Sequence, residues 1–182
     1  MSSGRIRLAK SDLFQFATEE IRDLLLASGD EPMAIETELL LMFASRAQHI
    51  QALIRPRLSA GTWVISDRFT DASFAYQGGG RGIDSEKIAT LARWVQDDLA
   101  PDATLLLDAP VPLALERARR RGAPDRIEQE QYDFFTRVRA AYLACAEREP
   151  QRYHIIDAAL TPEAVEAQVM RVMNQVIAAH DR

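Results

Sequence analysis

The residues best suited to chemistry lie in one string, Asp67-Arg68-Phe69-Thr70-Asp71-Ala72-Ser73-Phe74-Ala75-Tyr76-Gln77-Gly78-Gly79-Gly80-Arg81-Gly82. Its first two members put a carboxylate and a guanidinium side by side. A carboxylate can hold Mg2+, directly or through water, and an arginine can grip a phosphate with parallel N–H groups. The polar and aromatic stretch that follows reads as a short helix, and the glycine run as a turn flexible enough for backbone to approach a ligand closely. A second concentration is Arg117-Ala118-Arg119-Arg120-Arg121-Gly122-Ala123-Pro124-Asp125-Arg126, five arginines in ten positions. A solvated basic helix end would gain from the helix dipole, but such a cluster repels itself unless anions meet it. Gly122 and Pro124 give it a hinge. The third candidate is Arg46, a charge on an otherwise apolar helix beside Met42 and Phe43.

The elements that must position these groups alternate between helical and extended patterns, which predicts an α/β fold with a mostly parallel sheet. Helices are expected over 18–27 and, as one long element, over 32–58, where Leu39, Leu40, Phe43, Ala47, Ile50 and Ile54 recur at helical spacing. Thr62–Ser66 reads as a buried strand ending at Asp67. A short helix over 71–76 precedes the glycine turn, and Asp84 or Ser85 caps a helix running to Leu99. Strands at 103–108 and 153–156 alternate with helices at 112–121, 127–148 and from Thr161 to about Ala179, Pro112 suiting a first helical turn. Three strands ending near Asp67, Asp108 and Asp157 place the expected site beyond their carboxyl ends, where open parallel sheets collect ligands.

Composition narrows the classes. The chain has 182 residues, 47% of them hydrophobic, enough for the core of a single domain. A formal charge of −5 argues against a nucleic-acid binder. Only Lys10 and Lys87 are lysines, so nearly every positive charge is an arginine, the side chain fitted to two-pronged phosphate contact. No apolar run approaches the roughly 20 residues that cross a bilayer, and no secretory segment is evident, so a cytoplasmic protein without membrane partners is expected. The single Cys145 sits among apolar neighbours and reads as a core residue.

The string from Asp67 to Gly82 closely resembles the signature of the thymidylate kinases, P-loop nucleotide kinases in which Asp-Arg-aromatic precedes Ala-Tyr-Gln-Gly-x-Gly-Arg-Gly. The resemblance implies that Arg68 holds the phosphate of dTMP, that Asp67 organises Mg2+, and that Ser73, Tyr76, Gln77 and Arg81 belong to the substrate pocket. The segment from Leu39 to Arg46 is similar to the family helix whose arginine recognises the thymine edge, with Met42 or Phe43 near the stacking position. The arginine cluster resembles the mobile lid of the bacterial members, which implies that Arg117, Arg119 and Arg121 meet ATP phosphates, with Arg119 and Arg121 in catalytic roles. The resemblance continues through Phe134–Tyr142 to Asp157-Ala158 and covers the chain from about Thr18 onward. It implies ATP as co-substrate and a homodimer formed through the long apolar helix.

One expected part is missing. The Gly-x-x-x-x-Gly-Lys-(Ser/Thr) loop that cradles phosphates in this fold class does not occur in the sequence. Its nearest approach, Gly4-Arg5-Ile6-Arg7-Leu8-Ala9-Lys10-Ser11, has alanine where the second glycine belongs. The family's Arg-Glu-Pro-Gly-Gly segment is absent as well. Residues 1–17 are therefore expected to be an atypical segment in place of the first strand and phosphate loop, ahead of a single domain over 18–182. The expected function is transfer of the ATP γ-phosphate to dTMP, with impaired activity in this chain. The alternatives are a non-catalytic dTMP-binding remnant and a kinase for another monophosphate.

Overall fold

The computed structural model describes residues 16–27, 31–121, 126–128 and 130–180. Helix α1 (Phe16–Leu26) packs on the long α2 (Ile35–His49), which continues through a π-helical turn (Ile50–Ile54) into α3 (Arg55–Ser59). The wide turn has a local cause. Pro56 has no N–H to give to Ala52, so the ladder loosens just before it and Arg55 N–H reaches back to Ile50 O. The expected single helix over 32–58 is thus one continuous element with a defined irregularity.

Next come α4 (Thr70–Ser73), a π-helical segment (Phe74–Gly80) and α5 (Ser85–Gln96), whose N-terminus Asp84 caps by accepting Glu86 N–H at 2.9 Å. Strand β1 (Thr104–Asp108) leads through α6 (Val111–Arg121) and α7 (Tyr132–Arg148) to β2 (Tyr153–Asp157), and α8 (Pro162–His180) follows. The two strands pair in parallel from Thr104 against Tyr153 to Asp108 against Asp157, with helices packed on them. The fold is α/β with a helix-flanked parallel sheet.

Two sequence expectations are corrected. Thr62–Ser66 is not a strand: it pairs with neither β1 nor β2, and Ile65 is 52% exposed. A strand exists only against a neighbour that takes its backbone hydrogen bonds, and no described strand pairs with this segment. Residues 1–15, within the segment expected in place of the first strand and phosphate loop, lie outside the described residues. The glycine run is not an open turn either, because Gly78, Gly79 and Gly80 belong to the π-helical segment. A Cβ at Gly79 would lie 2.6 Å from Ala141 Cβ, and one at Gly80 would overlap the Phe134 ring. These glycines let backbone lie directly on α7.

The buried clusters follow from that contact. Leu39, Phe43, Ile83 and Ile88 join α2 to α5. Ala75, Ile127, Phe134 and Val138 join the π segment to α7, and Cys145, Ala146 and Tyr153 join α7 to β2. No described helix is long and apolar enough to cross a membrane.

Candidate active site

Glu38, Met42 and Arg46 recur every four residues on α2 and so share one face of it. Arg46 is the least comfortable of the three. Its Nη2 donates to Phe69 O at 3.3 Å and Ser73 Oγ at 3.0 Å, and its guanidinium lies 4.5 Å from the Phe43 ring and 5.8 Å from that of Phe69. Nη1 is buried with no acceptor. Burial pulls the Arg46 pKa down to about 10, against which Asp71 and Tyr142 favour the charged form, so the group remains cationic at neutral pH. A buried guanidinium N–H without a partner costs stability, and an acceptor supplied from outside the chain would recover it.

Facing α2 is the segment that begins at Asp67. Arg68 has φ of +64°, a left-handed conformation that costs a non-glycine residue about 1 kcal/mol. Ser66 Oγ steadies it by donating to Arg68 O at 2.8 Å. The bend carries the exposed Arg68 guanidinium over the Tyr76 ring, 4.9 Å from its centroid. Tyr76 meets Tyr142 edge-on at 6.3 Å, and Met42 packs against the same cluster. Burial raises the Tyr142 pKa, a trend strengthened by Tyr76 and opposed by Arg68. Asp71 anchors this wall: it receives Arg152 through two bonds of 2.7 and 2.9 Å, fastening α4 to the start of β2.

The three aspartates expected at strand ends separate by role, Asp108 and Asp157 closing β1 and β2 while Asp67 ends no strand. Asp108 accepts both prongs of Arg139 at 2.6 and 2.8 Å, and these bonds hold its carboxyl below the usual range against the effect of burial. Asp157 Oδ1 accepts Ala159 N–H within the turn after β2. Asp67 is exposed beside Arg68. The arrangement offers a buried donor at Arg46 beside the Ser73 hydroxyl, and an exposed guanidinium with a neighbouring carboxylate at Arg68 and Asp67, joined through the cluster that Met42, Tyr76 and Tyr142 pack on. That suits a flat polar ring carrying an anionic group.

Comparison with known proteins agrees in kind. A model of the family described as thymidylate kinase matches residues 16–169. The chain is 54% identical over 159 residues to the thymidylate kinase of Pseudomonas putida (strain GB-1), an alignment covering 87% of this chain and 76% of the relative. It is 51% identical over 158 residues to that of Alcanivorax borkumensis, covering 87% and 76%. The chain belongs to the thymidylate kinase family. A crystal structure of thymidylate kinase from Ehrlichia chaffeensis superposes with a TM-score of 0.64 at 31% identity, over 85% of this chain and 72% of that one.

Within this thymidylate kinase fold, the sequence-expected residues divide into groups. Arg46, Ser73, Arg68, Tyr76 and Met42 converge as described. Phe43 does not present a free face: it is 2% exposed, and Arg46 covers its ring, so no base can lie on it. Gln77 and Arg81 turn to a different centre, the buried carboxylate of Glu38, which sequence reasoning missed. Gln77 Nε2 donates to Glu38 Oε1 at 2.9 Å, and Arg81 Nη2 donates to Oε2 at 3.1 Å. Arg126 Nη2 also reaches Oε2, at 2.6 Å. Burial would raise the Glu38 pKa, but Gln77, Arg126 and Arg81 together hold it below the usual carboxylate value. The available signal was an acid on the stripe shared by Met42 and Arg46, four and eight positions before them.

The arginine cluster is not uniform either. Arg117 donates to Ala158 O and, at 3.4 Å, to Ala159 O, while Arg120 pairs with Glu116. Arg119 is exposed on α6. Helix α6 ends at Arg121, whose side chain, like the Gly122–Asp125 hinge, lies outside the described residues.

Proposed function

We propose that this chain binds dTMP and works in the transfer of the ATP γ-phosphate to it, giving dTDP. The observation that carries this reading is the partnerless Nη1 of Arg46, buried beside Ser73, on a helix whose Met42 packs with the Tyr76 that Arg68 covers. Thymine has carbonyl oxygens that can accept from that N–H, and the 5′-phosphate would then meet Arg68. Ser73 and Tyr76 would line the nucleoside, and the stacking position falls to Met42, because Phe43 is enclosed. Gln77 and Arg81 would shape the pocket through Glu38.

Mg2+ takes one or two carboxylates and completes its shell with water and phosphate oxygens, which the exposed Asp67 fits. When bound it would neutralise phosphate charge. Arg119 and Arg121, with Arg117 at the turn after β2, would meet the ATP phosphates, and catalysis would rest on positioning and charge neutralisation. An assembly of two copies is part of this reading, since Leu40 on α2 is 56% exposed and large apolar residues left in water favour a partner. Sedimentation showing one copy at all concentrations would remove that part.

A second reading uses the same residues: Arg46, Ser73 and Arg68 would equally serve a protein that binds dTMP without turning it over. Thermal melting with dTMP, dCMP, dGMP and ATP separates the cases. Stabilisation by dTMP above the other monophosphates supports the pocket assignment, and equal responses favour another monophosphate. A response to dTMP with none to ATP favours the binding remnant. An ordinary rate of dTDP formation excludes it.

A further inference from the structure

Glu38 is 2% exposed and ties together parts of the chain far apart in sequence. Gln77 and Arg81 bring to it the end of the π segment, and Arg126 brings the turn after α6. Arg126 Nε also donates to Leu25 O at 2.8 Å, adding the last turn of α1. Arg81 is shared with Glu130, so two carboxylates meet two guanidiniums and the charges balance. Buried charges persist only in such company, and losing Glu38 would leave these two guanidiniums to share one carboxylate.

The partners lie where the helix is least regular. π-Helical turns are unfavourable and concentrate at functional sites. Here the wide register is visible in Arg81 N–H donating to Tyr76 O, five residues back, at 2.9 Å, and the chain leaves it through Ile83 N–H donating to Gln77 O. Removing the extra residue from the turn would rotate all that follows by about one residue, roughly 100° of helix. Gln77 and Arg81 could then no longer meet Glu38 while Tyr76, adjacent in the chain, faces Arg68.

The geometry points to Glu38 as a positioning residue: through Gln77 and Arg81 it selects the wide-turn register of Phe74–Gly80 and so holds Tyr76 against Arg68. The consequence for affinity rests on the dTMP reading above. The consequence for the backbone does not.

The test combines residue-level hydrogen exchange with calorimetric titration of dTMP on the full chain, Glu38→Gln and Arg126→Gln. Glu38→Gln keeps the shape and removes the charge. The amides of Arg81, Gly82 and Ile83 should then exchange about tenfold faster or more, with those of α5 and α7 unchanged, and the dTMP Kd should rise by a similar factor. Arg126→Gln leaves Gln77 and Arg81 on Glu38 and should keep those three amides protected. Unchanged exchange at 81–83 in Glu38→Gln, or uniformly faster exchange throughout, overturns the assignment. Faster exchange there with unaltered dTMP affinity overturns its link to the site. Failure of the unaltered chain to bind dTMP would refute the functional reading alone, because the exchange pattern still decides the role of Glu38.

Discussion

Arg46 illustrates a group kept where it is uncomfortable. Its desolvation and its unpartnered Nη1 both cost stability in the folded chain. Arg46→Met should therefore leave the melting temperature of the protein alone unchanged or higher. The same variant should lose about 1.5–3 kcal/mol of dTMP binding, roughly ten- to hundredfold in Kd by calorimetry. Glu38 behaves oppositely. Its pKa is held below its ordinary value of 4.5, so the unfolded chain takes up a proton first as the pH falls. Its contribution is complete above about that value and fades as the pH drops through the lower, folded one. Acid unfolding of Glu38→Gln followed by circular dichroism should accordingly show a shallower loss below about pH 4.5 than the parent. Arg46 and Arg68 were legible as candidates because an arginine on an apolar helix and an Asp-Arg pair after an apolar run are conspicuous in the sequence. Glu38 was not, since an acid in the first turn of a helix is ordinary, and the partners that make it a hub are 39 to 88 positions away.

At the scale of elements, periodicity located nearly every helix, because an apolar stripe records which face meets the core. It could not register the two π-helical segments, where a single additional residue changes the phase but not the composition. The glycines misled for a related reason: close packing and open turns both call for a missing Cβ. Gly79→Ala separates these roles. Its new methyl would sit 2.6 Å from Ala141 Cβ and 3.0 Å from the Arg137 carbonyl oxygen, neither the end of a flexible side chain. A cost of about 1–3 kcal/mol, or a drop of roughly 3–10 °C in melting temperature, is expected by calorimetry. Thr62–Ser66 is the reverse case. Its residues are strand formers, but strand formation is settled by a neighbour, and propensity within five residues carries no information about one.

For the molecule as a whole, α/β architecture and thymidylate kinase kinship were legible in a motif of sixteen residues and in the alternation of elements. What the motif could not convey was that its two halves serve different centres. Asp67 to Tyr76 forms the wall opposite Arg46, and Gln77 to Arg81 anchors that wall to α2 through Glu38. In the proposed complex a nucleotide lies between Arg46 and Arg68, base at one and phosphate at the other. A crystal structure of the chain with dTMP tests it most directly. A thymine carbonyl oxygen is expected about 2.7–3.2 Å from Arg46 Nη1, and a phosphate oxygen at a similar distance from the Arg68 guanidinium. A dTMP found with its phosphate away from Arg68, or with its base turned from Arg46, would contradict it.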